Sequence, residues 1–272
     1  MACNGEDPMP KKQNSHSLRE WLVGGAAVAA ASYVAYAGIT WLRYGRPARK
    51  ISGEETDSLL DLYMPEYEIS ERHQIHVRAA AETTFTAACE VKLQSGITQA
   101  IFKARELALD CIGHKDASRQ LKDSNGSGQI SLEAKGLVEE IKAQGWGILA
   151  EIPGHEIVFG TVTRPWVTNT VFRSVPSEQF AAFHEPNYVK IVFTLRADPI
   201  AASESLARTE TRVMTTDEAA RKRFRRYWAI FSPGIRLIRR ALLRRVKSDA
   251  EHRAETSIPE YETAEFGEFA ER

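Results

Sequence analysis

The sequence predicts an α+β fold: an antiparallel sheet packed on a long C-terminal helix, preceded by one transmembrane helix. Three observations predict it. Trp21–Leu42 contains no charged residue. Short runs of alternating polarity fill 67–79 and 146–214. From Thr215 to Lys247, apolar residues then recur at steps of three and four, which keeps one face of a helix apolar.

The apolar run is long enough to cross a bilayer, at roughly 33 Å for helical geometry. Trp21 and Trp41 stand near its ends, where interfacial aromatics belong. A cleaved signal peptide is the competing reading, but a long polar segment with Glu6, Asp7 and Glu20 precedes the run. Arg43, Arg46, Arg49 and Lys50 follow it, against Lys11, Lys12 and Arg19 before it. That small excess leans toward a single-pass protein of the cell membrane with a cytoplasmic C-terminal domain. Residues 1–20 read as a disordered tail, 43–66 as a juxtamembrane linker with a helix over Ser52–Met64, and 251–272 as an acidic disordered tail.

The first strand is expected over Tyr67–Ala79, with Ile69, His73, Ile75 and Val77 sharing one parity. His73 and His76 fall on opposite faces, which argues against shared metal ligation. Helices follow over 81–91, 97–109 and 131–144. Asp123–Ile130 opens like a calcium loop but has Ala134 where a bidentate carboxylate is needed, and so reads as a polar turn. Trp146–Ile152, a Pro153-Gly154 turn and His155–Val162 form a hairpin signal. A strand over 167–172, a capped helix over 177–183 and a strand over 188–197 come next. The last strand, Leu206–Met214, is ambiguous. Either Thr209, Thr211 and Val213 face the core, or Arg208, Glu210, Arg212 and Met214 do; the first is favoured because the second buries charges.

The C-terminal helix begins with a T-x-x-E capping-box spacing at Thr215 and Glu218, and Pro233 predicts a kink in its middle. Its second face is rich in arginine and lysine. Formal net charge is zero, with 36 basic and 36 acidic residues, but 221–247 is basic and 249–272 mostly acidic. The basic face suits solvent or anionic lipid headgroups. No recognition motif accompanies it, so no nucleic-acid partner is expected. Three scattered cysteines exclude a disulfide framework. No P-loop, Rossmann glycine pattern, nucleophile elbow or zinc motif occurs; no catalytic residue, metal site or cofactor is assigned.

Three blocks carry a family resemblance: YEISERHQIHVRAAAETTFTAA at 67–88, YVKIVFTLRADPI at 188–200 and RTETRVMTTDEAARKRFRRYWAIFSPGIRLIRRAL at 208–242. Together, over 67–250, they resemble the START/Bet v1-like (SRPBCC, polyketide cyclase/dehydrase) superfamily and its uncharacterised bacterial members. The resemblance implies a helix-grip fold, a curved sheet around the C-terminal helix, with a hydrophobic cavity between them. Its diversity licenses no transfer of catalytic residues. The expected function is a membrane-anchored domain binding a lipid-, quinone- or polyketide-like ligand, lined by His73, Ile75, Val77, Ile191, Phe193, Phe224, Trp228 and Phe231. Two alternatives stay open. One is a cyclase- or hydrolase-like enzyme in the same cavity, with His73, Glu210 and Arg212 as its candidate groups. The other is a scaffold with a vestigial cavity.

Overall fold

A computed structural model describes residues 15–45, 57–92, 103, 105, 136–168 and 170–257. The expected calcium-like turn at 123–130 and most of the helix over 97–109 lie outside them, as do 52–56 and 258–272.

The elements in chain order are α1 (Ser15–Arg43), α2 (Ser58–Tyr63), β1 (Ile69–Val77), α3 (Ala81–Glu90), α4 (Leu137–Ala143), β2 (Gly147–Ile152), β3 (Glu156–Thr163), β4 (Phe172–Arg173), α5 (Ser177–Phe180), β5 (Val189–Ala201), β6 (Glu204–Thr215) and α6 (Glu218–Thr256). Among the described residues, six strands make one antiparallel sheet of order β1-β6-β5-β3-β2, with β4 also on β3. The Pro153-Gly154 turn forms as its sequence requires, with Gly154 at φ +74 between β2 and β3. The expected strand over 167–172 shrinks to the two residues of β4, and the helix over 177–183 to the single turn of α5.

The sheet is covered on both sides. Odd-numbered residues of β1, β3, β5 and β6 face α3 and α6. Val77, Phe159, Phe193, Leu195 and Ala207 pack there against Phe85, Leu242, Leu243 and Val246. Even-numbered residues face α2 and α5, where Val158, Val162 and Val192 pack against Leu60, Met64 and Phe180. Leu60 is fully buried, worth about 1.5–3 kcal/mol for a side chain of its size. Asp57 caps α2 by accepting the Leu60 amide at 2.8 Å, and Tyr63 Oη donates to the Leu149 carbonyl at 2.7 Å.

This two-sided cover resolves the ambiguity in β6. Thr209, Thr211 and Val213 do face α6, as favoured. The other set is buried too: Glu210 and Arg212 are each 3% exposed, on the α2 side. Their charges are matched. Arg212 Nε donates to Glu210 at 2.8 Å, Arg212 also binds Asp61 and the Met64 carbonyl, and Arg72 Nε reaches Glu210 at 2.9 Å. Burial alone would raise the Glu210 carboxyl. Arg212 and Arg72 outweigh it and hold the pKa below the usual value.

Two expectations about the C-terminal helix, its cap and its end, are corrected. Its cap is Asp217, which accepts the Ala220 amide at 2.7 Å; Thr215 is instead the last residue of β6, paired with Val189 and donating to Glu68 at 2.9 Å. The helix is unbroken through Pro233. It also continues to Thr256, so 251–256 is not disordered tail. Glu251 holds it down by accepting the Arg78 amide at 3.0 Å. The juxtamembrane helix starts at Ser58 rather than Ser52 within the described residues, because Asp57 provides the cap.

α1 runs antiparallel to the first half of α6. Tyr33 Oη donates to the Ile230 carbonyl, Tyr36 Oη and Ser232 Oγ are 2.8 Å apart, and Arg225 Nε donates to the Trp41 carbonyl at 2.8 Å while its guanidinium lies over the Trp41 ring. Tyr44 packs edge-on against Phe224. Only this stripe is covered. Trp21, Leu22, Val28, Val34 and Leu42 are all more than 60% exposed.

Candidate functional site

The interface between α6 and the sheet has three parts. At one end Phe224 and Trp228 join Ile69, Val189, Val213 and Trp166, with Ile191 at the edge. At the other, Leu242, Leu243 and Val246 join Val77, Phe159 and Phe193, with Ile75 at the edge. Between these apolar clusters lies a polar strip built from Glu71 and His73 of β1, Thr209 and Thr211 of β6, and Arg236 and Arg239 of α6.

Register builds the strip. Glu71 pairs with Thr211 and His73 with Thr209, and Phe193 pairs with Thr211 from the other side. These residues therefore stand side by side on one face. Arg236 Nε donates to Glu71 at 2.9 Å. The Arg239 guanidinium carbon stands 4.3 Å from the centre of the Phe193 ring. No acidic partner reaches it among the described residues, and burial pulls its pKa down to about 10.

Three buried polar atoms in the strip lack a hydrogen-bond partner: Thr209 Oγ1, Thr211 Oγ1 and His73 Nε2. Thr209 is 1% exposed and Thr211 5%. Most buried polar groups are paired, because an unmade hydrogen bond costs about 1–3 kcal/mol. The imidazole is held neutral. Burial lowers its pKa first; Glu71 at 4.0 Å opposes this, and Arg240, Arg239 and Arg236 reinforce it.

The Phe224 end is closed by side chains from elsewhere. Arg105 Nε donates to Tyr227 Oη at 3.1 Å, and its Nη2 reaches the Pro165 carbonyl at 2.7 Å and Thr170 Oγ1 at 2.5 Å. Tyr227 packs on Phe224 and on Phe231.

The residues selected from sequence thus do not meet in one lining. Ile75, Val77 and Phe193 belong to one apolar cluster, Ile191, Phe224 and Trp228 to the other, and Phe231 contacts Tyr227. His73 lies between the clusters. Of the three groups named for catalysis, His73 alone faces α6; Glu210 and Arg212 occupy the opposite face. Sequence reasoning missed Thr209, Thr211, Glu71, Arg236 and Arg239 as a group. The two threonines were placed on the correct face, but the arginines were counted with the solvated side of the helix.

Two concavities open elsewhere, the second of them touching the strip only at Thr209. One of 520 Å³ is open and runs along 175–186, lined by Val175, Gln179, Phe183 and Pro186 among others. Another, of 10 Å³, is walled by Asp57, Arg72, Thr194, Arg196, Arg208, Thr209 and Glu210. Beside it Glu156 is buried and accepts Thr194 Oγ1 at 2.9 Å; burial first, and then the Asp57 carboxylate, push its pKa up to about 7.

No family model matches the chain, and no curated protein does. Two solved structures are similar. One is the di-domain ARO/CYC BexL from the BE-7585A biosynthetic pathway, 12% identical over 67% of this chain and 46% of that one, with a TM-score of 0.24. This chain spans about half its length. The other is norcoclaurine synthase from Thalictrum flavum in complex with dopamine and hydroxybenzaldehyde, 10% identical over 78% of this chain and 100% of that one, with a TM-score of 0.25. At these scores the likeness assigns no family.

Proposed function

We propose that the chain is a membrane-anchored, helix-grip domain that binds a hydrophobic ligand between its sheet and α6. The observation that carries this reading is the polar strip. Its buried hydroxyls and imidazole nitrogen have no partner among the described residues, and apolar clusters flank it on both sides. A ligand with an apolar body and a few polar atoms satisfies both features, in the usual manner of small-molecule sites.

α1 supports the membrane part. Glu20–Arg43 is apolar, with a mean hydropathy of 1.6, and apart from the stripe on α6 it is exposed. So much exposed apolar surface calls for a cover, and 24 residues of helix, about 36 Å, match a bilayer core. On this reading the Tyr33–Tyr44 half of α1 holds the first half of α6 close to the membrane. Arg226 is exposed there, without an ion pair among the described residues, and is available to the headgroups. The C-terminal domain is assigned to the cytoplasmic side by the charge bias around α1.

The test is extraction. Full-length protein is purified from membranes, denatured in organic solvent, and the extract compared by mass spectrometry with that of the Phe193→Arg variant. A lipophilic molecule stoichiometric with the wild-type protein, and depleted from the variant, is expected. Equal, substoichiometric lipid in both would overturn the reading.

A further inference from the structure

We propose that the polar strip is the head-group site for a singly charged, carboxylate-type amphiphile, with the acid held by Arg239 and the hydroxyls of Thr209 and Thr211. This rests on the ligand-binding reading above and names the class of ligand.

The charge balance of the strip points to an anion. Arg236 is matched by Glu71. Arg239 is not matched by any acid among the described residues, and its contact with the face of Phe193 only partly replaces the water it has lost. Within the strip itself, leaving aside the exposed Arg240 at its edge, one positive charge is therefore left over. A carboxylate neutralises it. A phosphate dianion leaves a surplus negative charge beside Glu71.

The donors are also those a carboxylate uses. A guanidinium offers paired N–H groups, and two threonine hydroxyls on adjacent odd positions of β6 donate from the sheet side. His73 adds its unpartnered Nε2 beside them. No acceptor among the described residues competes for these hydroxyls. On the Phe193 side the apolar body would meet a ring that stacks on Phe159 at 4.9 Å and meets Trp146 edge-on at 5.2 Å.

The experiment is native mass spectrometry of the full-length chain in detergent micelles, titrated in parallel with oleate and oleyl alcohol. These probes share a tail and differ in the acid. Wild-type protein is expected to bind oleate at least about tenfold more tightly than the alcohol, the range a charge-assisted contact supplies. Arg239→Gln should bring oleate down to the alcohol, and Arg239→Lys should recover part of the difference. Thr211→Val, which keeps shape and removes a hydroxyl, should weaken oleate alone. If wild-type protein binds both probes equally, or if Arg239→Gln leaves the oleate preference intact while remaining folded by circular dichroism, the carboxylate assignment is overturned and the hydrophobic-ligand reading stands. If neither probe binds, both fall.

Discussion

Replacing Arg212 with methionine removes the central cation of the α2 side while keeping most of its volume. Arg212 contacts Glu210, Asp61, the Met64 carbonyl and the Tyr67 ring at 4.7 Å. Its loss leaves Glu210 buried with Arg72 and the Ser70 hydroxyl as partners, and removes a clasp between β6 and α2. Breaking one side of a buried pair costs about 3–5 kcal/mol. Arg72 keeps Glu210 partly satisfied, so the lower end, about 3 kcal/mol, is expected. For a chain of this size that lowers Tm by roughly 6–12 °C. The double variant Glu210→Gln/Arg212→Met should recover part of the loss, because the buried carboxylate charge goes with its counter-ion, while Arg72 and Asp61 are more exposed. Differential scanning fluorimetry of the full-length protein in detergent reads both. Oleate binding should persist in the folded double variant, since the network lies on the face away from α6. A Tm within about 2 °C of wild type, or oleate binding lost at unchanged Tm, would refute this structural role and return Glu210 and Arg212 to the ligand site.

Three further outcomes are expected. Glu156 is a buried carboxyl whose folded pKa, about 7, exceeds its ordinary value, so its contribution to stability is complete below about pH 4.5 and is lost as pH rises through 7; Glu156→Gln should flatten the fall in Tm between pH 5 and 8, and an unchanged slope would contradict it. Gly145 has φ +96, and a Cβ there would stand 2.2 Å from the Phe172 carbonyl oxygen, so Gly145→Ala should cost at least about 1–2 kcal/mol by denaturant titration. Thr209→Val should be neutral or slightly stabilising without ligand, because it removes an unpaired buried hydroxyl; a large loss of Tm would show that the hydroxyl already has a partner.

Much of the fold is legible in the sequence wherever one local rule decides it. Pro153-Gly154 sets a hairpin by turn chemistry, and the parity of Ile69, His73, Ile75 and Val77 is that of the α6 side. The face of β6 could not be read from alternation alone. A period of two separates core from solvent, and here neither face is solvent, because the six-residue α2 covers the side on which Glu210 and Arg212 lie. The helix cap slipped from Thr215 to Asp217 because strand pairing with Val189 carries β6 one residue further than the expected Met214. The strip was hidden for a related reason. Arg236 and Arg239 belong to a run of basic residues that looks solvated, and only their position opposite Glu71 and Phe193, some 165 and 46 residues away in sequence, turns them inward. Such long-range juxtapositions leave no local signal.

The central claim is that the ligand lies between α6 and the sheet. The most direct measurement is photo-crosslinking of the membrane-embedded full-length chain with a diazirine-bearing long-chain fatty acid, followed by peptide mapping. Adducts on the β6 segment 204–215 and the α6 segment 236–246, competed by unlabelled oleate, are the predicted result. Adducts confined to Glu20–Arg43 and insensitive to competition would contradict it, leaving an anchored domain whose α6 interface holds nothing.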